Sequence, residues 1–336
     1  MEKLNSIMNE FCKVLIQVER NGIKIDTEAL EELKKEYTIK HKNLEDELQI
    51  LARKALGDRP FRLGSVDDKS MVIYSRIPYS KKLWAKKFNL GSEMINGVRK
   101  PKKPKYMHPS ELANNIKELS YTIHKTKAIQ CRRCLGSGRI RKRLKSGLYS
   151  TKGTKCPTCR AKGIDYIDTD EVGGFKQLPS SVHDLSAHGY KCDKDKLEEL
   201  ARGAKGDAKQ FLTSMVQFTA ISHYLSAFIS GIRENVGRDG ILHTQFNQCV
   251  TTTGRLSSRN PNFHNQPRGG TFPIRKVVIS RWGRGSITEA DYAQLEFRVA
   301  AALSKDKVAL KDIINGVDVH QRTADILTSA GQITSR

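Results

Sequence analysis

Two groups of residues in this 336-residue sequence have the types and spacing that chemistry demands. The first is Cys131-Arg-Arg-Cys134, followed by Cys156-Pro-Thr-Cys159. Each Cys-x-x-Cys can form a knuckle presenting two thiolates, and two knuckles complete a tetrahedral site for one structural zinc ion. Gly136 and Gly138 allow the tight turn after the first knuckle. The bland alternative is redox or incidental cysteine; Cys12, Cys192 and Cys249 read as unpaired thiols of a reducing compartment. The second group is Ser286–Ser304, where Ile287 and Ala290 precede an apolar series at Leu295, Val299 and Leu303. That spacing predicts a short strand running into a helix, with Asp291 at the junction. Taken alone, Asp291 with Gln294 fits a capping box, the carboxylate accepting a backbone N–H and the glutamine reaching back.

Upstream lies Thr251-Thr-Thr-Gly-Arg255-Leu-Ser-Ser258-Arg-Asn-Pro261-Asn-Phe-His-Asn265-Gln-Pro267. This stretch and Asp291-Tyr-Ala-Gln-Leu-Glu296-Phe-Arg298 resemble, in order, two sequence motifs of family A DNA polymerases. The resemblance implies a right-hand polymerase and assigns roles residue by residue. Asp291 matches the aspartate that binds both catalytic magnesium ions, and Tyr292 would lend its backbone carbonyl to one of them. Two metals lower the pKa of the attacking 3′-hydroxyl and neutralise charge on the transferred phosphate. Gln294 and Glu296 would contact the nucleotide on its sugar side, Glu296 resembling the gate that excludes a 2′-hydroxyl. His320, in Asp318-Val-His320, resembles the histidine that hydrogen-bonds the triphosphate, while Asp318 also suits a helix cap. Arg268 is similar to a triphosphate-binding arginine. Arg255 resembles the arginine that reaches the minor groove at the primer terminus, with turn stabilisation as its simpler reading. Asn265 fits the motif's asparagine, although His264 stands where glutamine is usual.

The family's fingers helix and its second metal-binding aspartate are not found in these residues. One carboxylate does not hold two magnesium ions in reacting geometry. The expectation is therefore the N-terminal part of a phage-type polymerase, split or truncated, that needs a C-terminal chain or remainder and is inactive alone. The alternative is a non-catalytic zinc-containing DNA-binding protein with a vestigial palm. A single-subunit RNA polymerase relative is disfavoured by Glu296.

Composition narrows the partner. The chain carries 59 Lys and Arg against 36 Asp and Glu, a net +23, which favours a polyanion. Residues 99–163 hold 19 of the basic residues against Glu111 and Glu118 only. This footprint, with Arg141, Lys142 and Arg143 at its centre, points to primer–template DNA, with duplex as the expected surface. A ~30-residue insert this polar needs its metal to fold. Its Cys-x-x-Cys-x-Gly-x-Gly form also resembles the zinc modules of J-domain chaperones. No run approaches a membrane span, and the expected location is cytoplasmic, in a phage-infected bacterial cell.

The positioning elements follow from periodicity. Residues 2–20 read as an amphipathic helix, Asn21-Gly22 as a turn, and Asp26 or Thr27 as the cap of a second helix carrying Leu30, Leu33, Tyr37, Leu44, Leu48 and Leu51. His41 fills a seam position, and a helical hairpin or short coiled-coil seam is expected. Asp26-Thr-Glu28 superficially matches an exonuclease Asp-x-Glu, but a turn and a helix start are the wrong context, so no exonuclease is expected. Phe61–Ser65 with Met71–Tyr74 is similar to an element near the thumb of the same family, and Phe175-Lys-Gln-Leu-Pro179 is similar to another of its segments. Phe211 to Ile232 reads as a long amphipathic helix, residues 237–240 as a turn, and residues 241–247 as a strand. The predicted class is α+β: a helical thumb and a partial antiparallel palm sheet with a zinc-ribbon-like insertion. Its segments are 1–130 (helical thumb and palm base), 131–163 (zinc knuckles), 164–240 (thumb-to-palm helices) and 241–336 (N-terminal palm).

Overall fold

The helix Thr27–Leu56 is the element against which much of the chain packs. It starts where it does because Asp26 is held in an extended conformation and its carboxylate accepts the Ala29 N–H at 3.0 Å, satisfying one of the orphan donors of the first turn. Leu30, Tyr37, Leu48 and Leu51 are buried as their spacing predicts, with Leu33 and Leu44 at the margin of the core. The partner is not an adjacent hairpin arm but the helix Gly206–His223, far downstream. His41 lies in that seam, its Nε2 2.8 Å from Ser222 Oγ and its ring 4.3 Å from that of Phe218.

The computed structural model describes residues 2–143, 145, 147–267 and 270–330, and the chain divides into two units, Met1–Ile279 and Ser280–Arg336. In the first unit, one apolar core gathers Leu48, Leu51, Val72, Ile73, Trp84, Phe88, Leu112 and Phe211. A second gathers Ile25, Leu30, Tyr37, Tyr224, Ile229, Ile232, Leu242 and Val277.

The helix predicted from Phe211 to Ile232 exists but is not uniform. Tyr224–Ser230 forms a π-helical stretch between Gly206–His223 and Gly231–Asn235. The wider turn shifts the buried face: Tyr224 and Ile229 are buried, while Leu225 and Phe228, which unbroken helical spacing points inward, sit at the margin. The N-terminal helix Glu2–Asn21 forms as expected, yet of its apolar stripe Leu15 is buried while Ile7, Phe11, Val14 and Val18 are exposed.

Sequence periodicity misses the strand Ile23–Ile25, which follows the Gly22 turn and leads directly into Asp26. It is the centre of a three-stranded antiparallel sheet, pairing with Ile241–Leu242 on one side and Val278–Ile279 on the other. Asp26 thus follows a strand after all, with its carboxylate engaged as a helix cap. The expected single strand over residues 241–247 is two strands. Gln245–Asn247 leaves the sheet and pairs with Ser257–Arg259. The break falls at Thr244, a buried residue whose hydroxyl donates to the Pro261 and Arg259 carbonyls at 2.6 and 3.1 Å.

His124–Gln130 and Ile164–Val172 form a two-stranded antiparallel ribbon, and the cysteine-rich residues 131–163 lie beyond its end. In the second unit the regular elements among the described residues are the helices Leu295–Ser304, Lys307–Ile314 and Val319–Ser329, and residues 280–294 before them are irregular. The chain is therefore mixed helix with small antiparallel sheets, and no helix among the described residues is long and apolar enough to cross a membrane.

Candidate functional site

The loop 248–256 is carried by the hairpin of Gln245–Asn247 and Ser257–Arg259, and Arg255 is exposed on it, its carbonyl accepting the Thr251 hydroxyl at 2.7 Å. Beyond the hairpin the chain wraps around two side chains. The Ser258 hydroxyl accepts the Phe263 and His264 N–H groups at 2.9 and 3.2 Å, and the Asn262 side-chain oxygen accepts those of His264 and Asn265 at 3.0 and 3.3 Å. Asn265 is thereby held on an exposed turn with a set backbone. Sequence reasoning assigned no role to Ser258 or Asn262. The available signal was the Ser/Asn-Pro-Asn composition, which favours side-chain capping of backbone N–H groups in turns. Arg268 lies outside the described residues.

In the second unit, Asp291 is not at the end of a strand, and it does not cap the helix. Residues 286–292 have no regular structure, Asp291 and Tyr292 are exposed, and the helix begins at Leu295 with Gln294 in its cap position at φ 51°. A strand exists through its ladder bonds, and this unit offers no partner strand among its described residues. Gln294 reaches forward instead of back: its Nε2 donates to Asp318 Oδ1 at 3.1 Å. Asp318 caps the helix Val319–Ser329, accepting the His320 and Gln321 N–H groups at 2.9 and 3.2 Å. Gln294 and His320 are thus brought to the same place through Asp318. Glu296 stands exposed in the first turn of the other helix.

The cysteines form a separate centre. All four are buried, and their Sγ atoms lie within 4.8 Å of one another. Cys131 and Cys156 sulfurs are 3.9 Å apart and those of Cys134 and Cys159 3.5 Å apart. Zn–S bonds of about 2.3 Å in a tetrahedron set sulfur separations of about 3.8 Å, so the cage has the size for such an ion. The two knuckles are near-copies. Gly138 N–H donates to Cys134 Sγ and Gly163 N–H to Cys159 Sγ, each at 3.3 Å. Cys131 N–H in turn meets the Gly163 carbonyl and Cys156 N–H the Gly138 carbonyl, at 2.8 and 2.9 Å. Both glycines have positive φ, and a Cβ on Gly138 would strike the Ala161 carbonyl. Burial pushes the Cys134 thiol up to about 11. At Cys156 burial acts the same way but is outweighed by the backbone N–H groups of Cys159 and Thr158, which bring the thiol down to about 7.

A family model for DNA polymerase family A matches residues 173–335, which include both the hairpin loop and the Asp291 segment. Over those residues the chain is similar to DNA polymerase family A. DNA polymerase I of Streptococcus pneumoniae is 30% identical over 185 residues, 54% of this chain and 20% of that protein. The Synechocystis enzyme is 35% identical over 196 residues, 57% and 19% respectively, and that of Bacillus subtilis 34% over 154 residues, 45% and 17%. The chain spans about a fifth of the length of these curated relatives. The polymerase domain of Pol1 from M. smegmatis, in complex with DNA primer-template and dNTP, aligns over 92% of this chain and 35% of that one, with 21% identity and a TM-score of 0.47.

Among the described residues the group of three or more potential metal ligands is the cysteine cluster, and no such group surrounds Asp291. A single carboxylate does not fit two divalent cations. The cysteine cage, by contrast, lies outside residues 173–335.

Proposed function

We propose that this chain supplies the thumb and the N-terminal palm of a family A DNA-directed DNA polymerase, acting in template-dependent deoxynucleotidyl transfer. The observation that carries the reading is the co-occurrence, in order and within one family match, of the Thr251–Pro267 loop and the Asp291 segment. In the assembled enzyme Asp291 and the Tyr292 carbonyl serve as ligands for magnesium. The complete metal site needs a further carboxylate from polymerase sequence outside these residues, continuous with the chain or separate from it. Gln294, Glu296 and His320 face the deoxynucleoside triphosphate, as does Arg268. The Gln294–Asp318 bond draws the starts of two helices together, and helix N-termini favour phosphate. Arg255 and Asn265, on their stiffened loop, meet the primer–template. The four cysteines hold a structural zinc ion, whose chemistry is to staple an insert too polar to fold by burial.

The test is reconstitution. Joined to or mixed with a matching segment that carries the fingers helix and the second aspartate, the chain extends a primer with magnesium and deoxynucleotides. Asp291→Ala abolishes extension while circular dichroism stays unchanged. Near-normal extension by that variant overturns the assignment. A second reading, a zinc-containing DNA-binding protein with a vestigial palm, is favoured by the exposed, irregular setting of Asp291. It predicts DNA binding without extension in every such mixture.

A further inference from the structure

The ribbon His124–Gln130 and Ile164–Val172 presents the cysteine centre as the base of a finger. Residues 131–163 contain 11 Lys and Arg and no Asp or Glu. All 11 are exposed, and none forms an ion pair among the described residues. Acids appear on the returning strand, where Asp165 accepts the Tyr166 N–H at 2.9 Å, Asp168 pairs with Arg59 at 3.2 Å and Glu171 with Lys125 at 2.5 Å.

Within the finger, Arg139–Ile140 and Thr154–Lys155 form a hairpin whose register sets Arg139 directly opposite Lys155. Like charges facing across an antiparallel pair destabilise it, and nothing acidic in the finger offsets them. A polyanion bound along the hairpin relieves that repulsion. Farther out, Tyr149 bridges to Arg143 and is 64% exposed, beside Leu148 at 70%. An exposed aromatic side chain amid arginines has a use on unpaired bases, whose faces are open, and little on a stacked duplex.

The stalk is fixed to the body. Asp58 N–H donates to the Thr126 carbonyl at 2.8 Å, its carboxylate accepts the Ala128 N–H at 3.0 Å, and the Thr126 hydroxyl donates to the Leu56 carbonyl at 3.3 Å. Between them Gly57, at φ 76°, lies so close that a Cβ would strike the Thr126 carbonyl. The finger therefore presents its charges from a set position at the end of the helix Thr27–Leu56.

We infer that this finger is a single-stranded DNA contact. Arg139, Arg141, Lys142, Arg143 and Lys155 engage phosphates, and Tyr149 stacks on a base. This contact stands apart from the polymerase reading, because its readout is binding and not extension.

The experiment measures fluorescence anisotropy of labelled oligodeoxythymidine, and of a blunt duplex of equal length, with the zinc-loaded chain over a range of salt. Replacing Arg141, Lys142 and Arg143 by Gln together weakens single-strand binding and lowers the log–log salt slope by about 2, at about 0.7 per phosphate contact. Tyr149→Ala weakens single-strand binding about tenfold, Tyr149→Phe retains it, and the duplex changes less than about twofold in either. An unchanged salt slope overturns the inference, as does a Tyr149→Ala loss that is absent on the single strand or equal on the duplex. Zinc stoichiometry checks the fold. If the triple variant loses zinc, Arg141→Gln alone, with a slope change of about 0.7, takes its place.

Discussion

Gln294 Nε2 donates to Asp318 Oδ1 at 3.1 Å, linking the cap of one helix to the capping carboxylate of another. The same oxygen accepts the His320 and Gln321 N–H groups. Two residues expected at the nucleotide are therefore coupled through a third that holds a helix start.

Asp318→Ala removes the cap and the link together. It is expected to cost about 1 kcal/mol, the usual worth of such a cap, with loss of helicity by circular dichroism. Gln294→Ala costs less, and in the double variant the Gln294 effect vanishes. Strictly additive costs would show that the link carries no energy.

Glu296 decides sugar choice if it stands against C2′ in the assembled polymerase. In the reconstituted enzyme Glu296→Ala admits ribonucleotides, narrowing discrimination by about 1–3 kcal/mol or more. Primer-extension ladders with ribonucleoside triphosphates measure this. Unaltered discrimination places the gate elsewhere.

If the cysteine cage holds a structural zinc ion, its removal is expected to unfold the finger while the apolar cores, built from other residues, persist. Cys156→Ser, or a chelator, is expected to open residues 131–159 to limited proteolysis with little change in helical signal. Metal analysis of protein purified without chelator is expected to give one zinc per chain. Freely titratable thiols in that protein contradict the site.

Asp184 and Lys196 form an ion pair at 2.8 Å with side chains only 9% and 5% exposed. Burial works against the charge of Asp184, but Lys196 and the donors of Ser180 and Ser181 more than offset it and hold the carboxyl below its usual range. Burial likewise opposes the charge of Lys196, yet Asp184 and Glu199 raise its pKa. The aspartate's contribution is therefore complete above its unfolded value, about 3.9, and is lost as pH falls through the lower folded one. The lysine's is complete below about 10.4 and is lost as pH rises through its higher folded value. Denaturant midpoints should hold between these limits and fall beyond them. Lys196→Met strands the buried carboxylate, at a cost of about 3 kcal/mol, and adding Asp184→Leu restores much of the loss. A midpoint in Lys196→Met equal to that of the parent chain refutes the pair's importance.

What the sequence determined by itself was local or chemical. Cysteine spacing encodes the two knuckles because each turns back on its own second cysteine, Gly138 N–H donating to Cys134 Sγ and Gly163 N–H to Cys159 Sγ. Asp26 and Asp318 announce helix starts because a cap needs only the next three residues. The motif residues 251–267 and 291–298 carry the likeness to the family because their order is itself the signal. Tertiary structure alone decided the rest. Ile23–Ile25 is too short to show a period, and it is a strand because Leu242 and Val278 arrive beside it. The buried face at Tyr224 and Ile229 depends on a π turn that shifts the helical phase. Asp291 is the converse case: its surroundings spell a strand, but a strand needs a neighbour to bond to, and among the described residues of its unit there is none.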